Sequence, residues 1–158
     1  MALAEELGRE GAPGWVLGAW AGTSLLAGLA YGRRAWHAGP DTRFLVGTGV
    51  LCAGALAVGA VHGSLLQITA ALMIAGTANA PTLIAGNSLV PLLVRPEVIT
   101  EAYTRLGVMV SAGVAVGAAA GGPLIDHHGA GAALWACAGA GALTFAIAAI
   151  GRRAYDVP

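Results

Sequence analysis

The sequence predicts an all-α integral membrane protein, a helix bundle with about five transmembrane helices, and no part of it is typical of a soluble domain. Of the 158 residues, 57% are hydrophobic and only 10% are charged, and the mean hydropathy is +0.74. Soluble domains carry about 25% charged residues. So few charges could not cover a surface that faces water, which favours the interior of a lipid bilayer.

The apolar residues fall into five uncharged stretches, each bounded by charged residues, glycine or proline. A hydrocarbon core about 30 Å thick requires roughly 20 apolar helical residues. The predicted spans are residues 15–31, 44–61, 65–94, 106–125 and 130–150. We therefore divide the chain into an outer N-terminal segment, a five-helix transmembrane bundle and a cytoplasmic tail, at residues 1–12, 13–153 and 154–158.

The first two helices have clear boundary signals. Pro13 suits the first turn of a helix, and Arg33 and Arg34 stand at its end, where cations interact favourably with the helix dipole. The second helix follows the polar linker 39–43. Both features support separate helices joined by a short basic loop.

The last three helices differ in character. The third is the longest, and Pro81 in its middle predicts a kink or a strong tilt. The fourth begins after an amphipathic turn in which Glu101 and Arg105 stand at i and i+4, a favourable order for an ion pair. The fifth ends at Arg152, again beside a second arginine.

The arginines occupy alternate loops. Short cytoplasmic loops hold an excess of arginine and lysine. With five spans, seven arginines lie on one side of the membrane, and only Arg9 lies on the other side, among acidic residues. The pattern predicts a protein of the plasma (inner) membrane, with the N-terminus outside and the C-terminus in the cytoplasm.

Two rows of glycines at four-residue steps mark the faces where we expect helices to cross closely. Lipid tails are as apolar as leucine, so membrane helices associate through close contact at small residues. The rows contain Gly18 and Gly22 in the first helix, and Gly113, Gly117 and Gly121 in the fourth. Packing is the expected role, and a sliding surface is the alternative.

Polar residues are concentrated in the third helix. Asn79 stands two residues before Pro81, where a kink would leave a backbone carbonyl in need of a donor. Polar groups inside membrane helices either bond to neighbouring helices or line a substrate pathway. Both interpretations stay open, and Gln67, Asn79 and Asn87 are the candidates for a pathway.

The sequence excludes several classes of function. The spans contain no Asp, Glu, Lys or Arg, so the usual intramembrane proton carrier is missing and a substrate site would be mostly apolar. The histidines and cysteines form no ligand spacing, so we expect no metal and no cofactor. No nucleophile elbow or acid–base pair predicts an enzyme. Without lysine or a basic run, nucleic-acid binding is not expected either.

The order of these features resembles the carboxyl-terminal half of a major facilitator superfamily transporter, in particular its drug-efflux-like members. The stretch from Ala21 to Arg34 resembles the family's eighth helix and the basic inner loop after it. Ala80-Pro81-Thr82 is similar to part of the tenth helix, and residues 121–126 to the end of the eleventh. The resemblance implies that Arg33 and Arg34 act as an inner gate.

The sequence also departs from the family pattern. Tyr31 and Gly32 occupy the place where the family usually has an acidic residue before its arginines, which weakens an ion-pair gate. About seven of the twelve family spans are absent, so we expect a truncated chain. In this fold the substrate lies between two halves that rock against each other.

Three interpretations follow from the resemblance. The first is a partial transporter, an efflux permease for an unknown small molecule, whose missing N-terminal half supplies the opposite wall. The second is a non-transporting membrane subunit or an inert fragment. The third is a small transporter that acts as a homo-oligomer, namely a homodimer, since the two halves of the family fold share one plan. All three place the chain in contact with the lipid bilayer.

Overall fold

The computed structural model describes residues 12–60 and 65–155, which form four α-helices, one short 3-10 helix and no strand. The helices are α1 (Ala12–Arg33), α2 (Pro40–Ala60), α3 (Leu65–Leu93) and α4 (Ile99–Tyr155), and the 3-10 helix Pro96–Val98 precedes α4. The predicted all-α helical bundle is confirmed. The outer segment and the tail fall mainly on residues 1–11 and 156–158, outside the described residues.

Helix α4 is broken at Gly129. Its backbone angles there, φ 78° and ψ 170°, lie in a region that glycine enters without steric cost. A straight helix of 57 residues would extend about 86 Å, almost three times the thickness of a bilayer core. The break divides α4 into a first limb, residues 99–128, and a second limb, residues 130–155. With α1, α2 and α3, these limbs match the five predicted stretches.

Within residues 12–60 and 65–155, two helices are long and apolar enough to cross a membrane by length and composition alone. They are Pro40–Ala60, in which an 18-residue window has a mean hydropathy of 1.6, and Pro96–Arg152, in which such a window has a mean hydropathy of 1.9. The second contains both limbs of α4 and exceeds the length of one span. That each of the five helical stretches crosses the bilayer stays a prediction.

Helix α3 lies between α1 and α2, and glycines allow the close approach of both neighbours. A Cβ placed on Gly54 of α2 would lie 2.7 Å from the Ala75 Cβ of α3. A Cβ placed on Gly28 of α1 would lie 3.0 Å from the Ala80 Cβ. The first distance is too short for a real side chain, and the second would require a small shift of the neighbouring helix, so glycine favours both crossings, as membrane helix packing predicts.

The predicted glycine rows do not form these crossings. Nothing lies within 4 Å of a Cβ placed on Gly18, Gly22, Gly113, Gly117 or Gly121. The four-residue step identifies one face of a helix, but the residues opposite decide whether that face meets another helix. In the described chain all residues from 103 to 120 are exposed. That these glycine rows pack against a helix stays a prediction, and the partner helix would have to lie outside the described chain.

The second limb of α4 packs against α2 and runs antiparallel to it. A Cβ on Gly59 would lie 3.6 Å from the Trp135 ring, and one on Gly49 would lie 3.1 Å from the Phe145 ring. Contacts thus move toward the start of α2 as the limb proceeds. Beyond them, the Arg152 Nε lies 3.4 Å from an Asp41 carboxylate oxygen.

Several helix ends meet at one end of the bundle, where α1 and α3 end, α2 begins, and both limbs of α4 have their free ends. The Arg43 guanidinium carbon lies 5.6 Å from the centre of the Tyr31 ring, which joins α1 to α2. The Tyr103 hydroxyl donates a hydrogen bond to the Asn87 carbonyl at 3.0 Å, which joins α3 to the first limb. We call this the arginine end, after Arg33, Arg34, Arg43, Arg95, Arg105 and Arg152.

Candidate functional site

Asn79 connects two helices. Its side-chain Nδ2 donates a hydrogen bond to the Ser24 hydroxyl oxygen at 3.3 Å, and Ser24 is buried in α1. Helix α3 continues through Pro81 as one α-helix, and the Asn79 amide does not serve the carbonyl that Pro81 leaves without a donor. The geometry therefore supports the packing interpretation of Asn79. Ser24, its partner, carried no sequence signal beyond being a lone hydroxyl in an apolar face.

Asn87 lies near the arginine end of α3 and is exposed. Its side-chain Nδ2 donates to the Leu83 carbonyl of its own helix at 2.8 Å, while its backbone carbonyl accepts the Tyr103 hydrogen bond. The Asn87 backbone therefore anchors the first limb of α4 to α3. Tyr103 was not singled out from the sequence, so its role was missed.

Gln67 is exposed near the start of α3. Twenty residues separate Gln67 from Asn87, which corresponds to about 30 Å along a helix. The three predicted pathway residues are thus spread along nearly the full length of α3. The structure does not bring them together into one cluster.

A groove of about 800 Å³ lies between α3 and the first limb of α4, and we call it the α3–α4 groove. Its lining includes Asn87 and Tyr103 at the anchoring contact, the Phe44 ring of α2, and Ser111. The remaining lining is mostly aliphatic, and none of the lining residues carries a charge. Such a groove suits a ligand that is uncharged and mostly apolar and that makes a few polar contacts.

A second cavity of about 540 Å³, the α1–α2 cavity, opens near the arginine end. The side chains there combine two aromatic rings with two arginines. The Tyr31 and Trp36 ring centres are 4.6 Å apart, and the Arg34 guanidinium carbon lies 4.8 Å from the centre of the Trp36 ring. The Trp36 indole N–H donates to the Tyr31 carbonyl at 2.9 Å, which fixes the indole ring. Arg43 completes the cluster.

The predicted gate residues lie at the end of α1, beside this cavity. Arg33 and Arg34 are both exposed. Among residues 12–60 and 65–155, the ion pairs join Arg105 to Glu101 at 2.6 Å and Arg152 to Asp41 at 3.4 Å. Neither Arg33 nor Arg34 has an acidic partner in that part of the chain, so a gating ion pair stays a prediction.

No group of three or more His, Cys, Asp or Glu side chains able to hold a metal ion occurs within the described residues. His62, between the second and third predicted spans, lies outside them. His127 and His128 are exposed neighbours whose ring centres are 6.5 Å apart. Cys52 is buried and Cys137 is exposed, and both are free thiols.

The family model described as Major Facilitator Superfamily matches residues 1–156. The chain belongs to the major facilitator superfamily. No curated protein and no solved structure matches it. Members of this superfamily are membrane transporters and not enzymes, so the family match confirms the membrane and transport parts of the prediction. The uncharged groove is consistent with a pathway for a small molecule.

Proposed function

We propose that this major facilitator superfamily chain forms one wall of a pathway that exports an uncharged or amphiphilic small molecule across the plasma (inner) membrane. The observation that carries the proposal is the α3–α4 groove, which is apolar, uncharged and about 800 Å³ in volume. Ligand pockets of this kind bind through apolar area and a few polar groups. Here Thr82, Asn87, Tyr103 and Ser111 are those polar groups.

The groove has a wall on one side only. The first limb of α4 is exposed from residue 103 to residue 120, along the whole stretch that carries Gly113 and Gly117. In this fold the substrate lies between two halves, and rocking of one half against the other moves it. We propose that a missing N-terminal half covers the exposed limb and closes the groove.

The arginine end supports the proposed orientation. Arginines favour the cytoplasmic side of a membrane, so we place the arginine end in the cytoplasm, which puts the start of α1 outside and the end of α4 inside. Arg33 and Arg34 then lie at the cytoplasmic mouth, where acidic groups of the opposite half would complete the predicted gate. Asn79 and Gln67 lie deeper in the membrane and toward its outer face.

The proposal is tested by the flux of lipophilic fluorescent dyes from proteoliposomes. One preparation contains the chain alone, and the other contains the chain together with a second half expressed from the coding sequence upstream of it. Gly107 lines the groove and has open space around it. Gly107→Trp should fill the groove and reduce the initial rate to that of empty liposomes. The matched control Leu143→Trp adds the same ring at an exposed position of the second limb of α4, outside the groove lining and outside residues 103–120, and should leave the rate unchanged.

The outcomes separate the three interpretations. Flux that requires the second half supports a partial transporter. Flux from the chain alone, together with disulfide formation between Gly117→Cys copies, supports a homodimer, in which a second copy covers the first limb. No flux in either reconstitution contradicts the proposal and leaves a non-transporting subunit or an inert fragment.

A further inference from the structure

We propose that the α1–α2 cavity binds an anionic phospholipid of the membrane leaflet at the arginine end. The lipid phosphate would lie between Arg34 and Arg43, and one acyl chain would follow the apolar wall of the cavity. This site is separate from the α3–α4 groove and does not depend on transport.

The two arginines are held by aromatic rings and not by acids. The Arg34 guanidinium carbon lies 4.8 Å from the centre of the Trp36 ring, and that of Arg43 lies 5.6 Å from the centre of the Tyr31 ring. Contacts with ring faces orient a guanidinium without using its N–H donors. The Arg43 Nε donates to the Gly39 carbonyl at 3.3 Å, which leaves its terminal nitrogens for a phosphate.

The acidic residue nearby has another partner. Asp41 forms an ion pair with Arg152, whose Nε lies 3.4 Å from a carboxylate oxygen of Asp41. Within the described residues neither Arg34 nor Arg43 forms an ion pair. The cavity mouth therefore carries a positive charge that its own side chains do not offset, which favours an anion over a zwitterion.

Apart from Thr42 and Thr77, the rest of the cavity lining is apolar and lies along the helices. Its wall is formed by small or aliphatic residues of α1, α2 and α3: Ala27, Ala30, Val46, Val50, Ala78 and Pro81. Because this wall begins beside the arginines, the cavity offers a charged end and an apolar trough to one ligand. An amphiphile with a phosphate at one end has that shape, whereas a soluble phosphate would leave the apolar wall uncovered.

The aromatic pair supports a position at the headgroup level. Tryptophan and tyrosine are enriched where a membrane meets water, and Trp36 is 39% exposed. The Tyr31 hydroxyl is buried and has no hydrogen-bond partner in the described structure. A buried hydroxyl without a partner is unfavourable, so a small movement of the ring toward a headgroup oxygen would be stabilising.

The test is quenching of Trp36 fluorescence by brominated lipids in a full chain whose other tryptophans are changed to phenylalanine. Brominated phosphatidylglycerol and brominated phosphatidylcholine have the same chains and differ in headgroup charge. We expect phosphatidylglycerol to quench Trp36 at lower mole fraction. Arg34→Gln/Arg43→Gln should lower the apparent affinity for phosphatidylglycerol about 30-fold, because each arginine near an anionic lipid contributes a factor of about five.

The control is Arg95→Gln/Arg105→Gln, which removes two positive charges from the same end of the bundle and should leave quenching unchanged. Equal quenching of the parent chain by both lipids would overturn the proposal. So would an equal loss in the control variant, since it would indicate general surface charge. Release of the brominated lipid by millimolar glycerol phosphate would show that the site takes a soluble phosphate. The comparison of the two lipids in the parent chain stands even if a variant folds poorly.

Discussion

Replacing Gly54 by alanine should weaken the crossing of α2 and α3. The added methyl carbon would lie 2.7 Å from the Ala75 Cβ and 3.3 Å from the Ala75 Cα. Carbon atoms pack best at about 3.5–4.0 Å, so the helices must separate by roughly 1 Å. The nearest obstacles are a methyl group and backbone, and neither can rotate away.

The energetic cost has two parts. Overpacking of a well-packed contact costs about 1–3 kcal/mol, whereas alanine in place of glycine gains up to about 1 kcal/mol in helix propensity. Gly117→Ala is the matched control, since Gly117 is also inside a helix and nothing lies within 4 Å of its added methyl. The difference between the two variants removes the propensity gain, and we expect Gly54→Ala to be less stable by about 1–3 kcal/mol.

The free energy of unfolding is measured by titrating detergent-solubilised chain with sodium dodecyl sulfate and following helix content by circular dichroism. Equal stability of the two variants would refute the described crossing of α2 and α3. A larger loss in Gly117→Ala would show instead that the first limb of α4 packs through its glycine row, as the sequence pattern predicted.

Three further predictions use the same assay. Asn79→Ala removes the hydrogen bond to the serine of α1 and should cost about 0.6 kcal/mol, and at most about 1.7 kcal/mol; no change would mean that α1 and α3 associate through glycine contacts alone. Tyr103→Phe removes the donor to the Asn87 carbonyl and should cost about 1 kcal/mol, with faster proteolysis of the first limb as an independent sign; an unchanged proteolysis rate would contradict the anchoring role. Arg152→Gln breaks a half-exposed pair with Asp41 and should cost less than about 1 kcal/mol, and salt should reduce the difference; a difference that salt does not reduce would contradict the ion pair.

Much of the fold could be predicted from the sequence because the bilayer constrains it. Helix length and the absence of charge identify the helical stretches, and Gly129 falls in the short gap between the fourth and fifth of them. The arginines predicted to share one side lie at one end of the bundle. These features are local, or follow from a simple alternation of helices.

The helix contacts were harder to predict because the chain contains 25 glycines. Gly54 and Gly28 lie in crossings, whereas Gly22 and Gly117 do not, although all four stand in similar apolar surroundings. The residue opposite decides the contact, and sequence spacing does not reveal it. Asn79 likewise could not be assigned without knowing that Ser24 lies beside it.

The candidate site was predicted only in part for the same reason. Asn87 was singled out, but the groove beside it also depends on Tyr103 and Phe44, which belong to other helices. The cluster of Tyr31, Trp36, Arg34 and Arg43 depends on the approach of α1 and α2, so only Arg34 was identified from the sequence as a site residue. Sites built from several helices require the tertiary arrangement.

The central claim, that the α3–α4 groove is a transport pathway, is tested most directly by the reactivity of a cysteine placed in it. In a chain whose native cysteines are replaced by alanine, Ser111→Cys is treated with a water-soluble maleimide, and Arg95→Cys serves as the exposed control. We predict that Ser111→Cys reacts in the membrane and that a transported dye slows the reaction. An unreactive Ser111→Cys beside a reactive Arg95→Cys would contradict the account, since it would show that the groove holds no water-filled path.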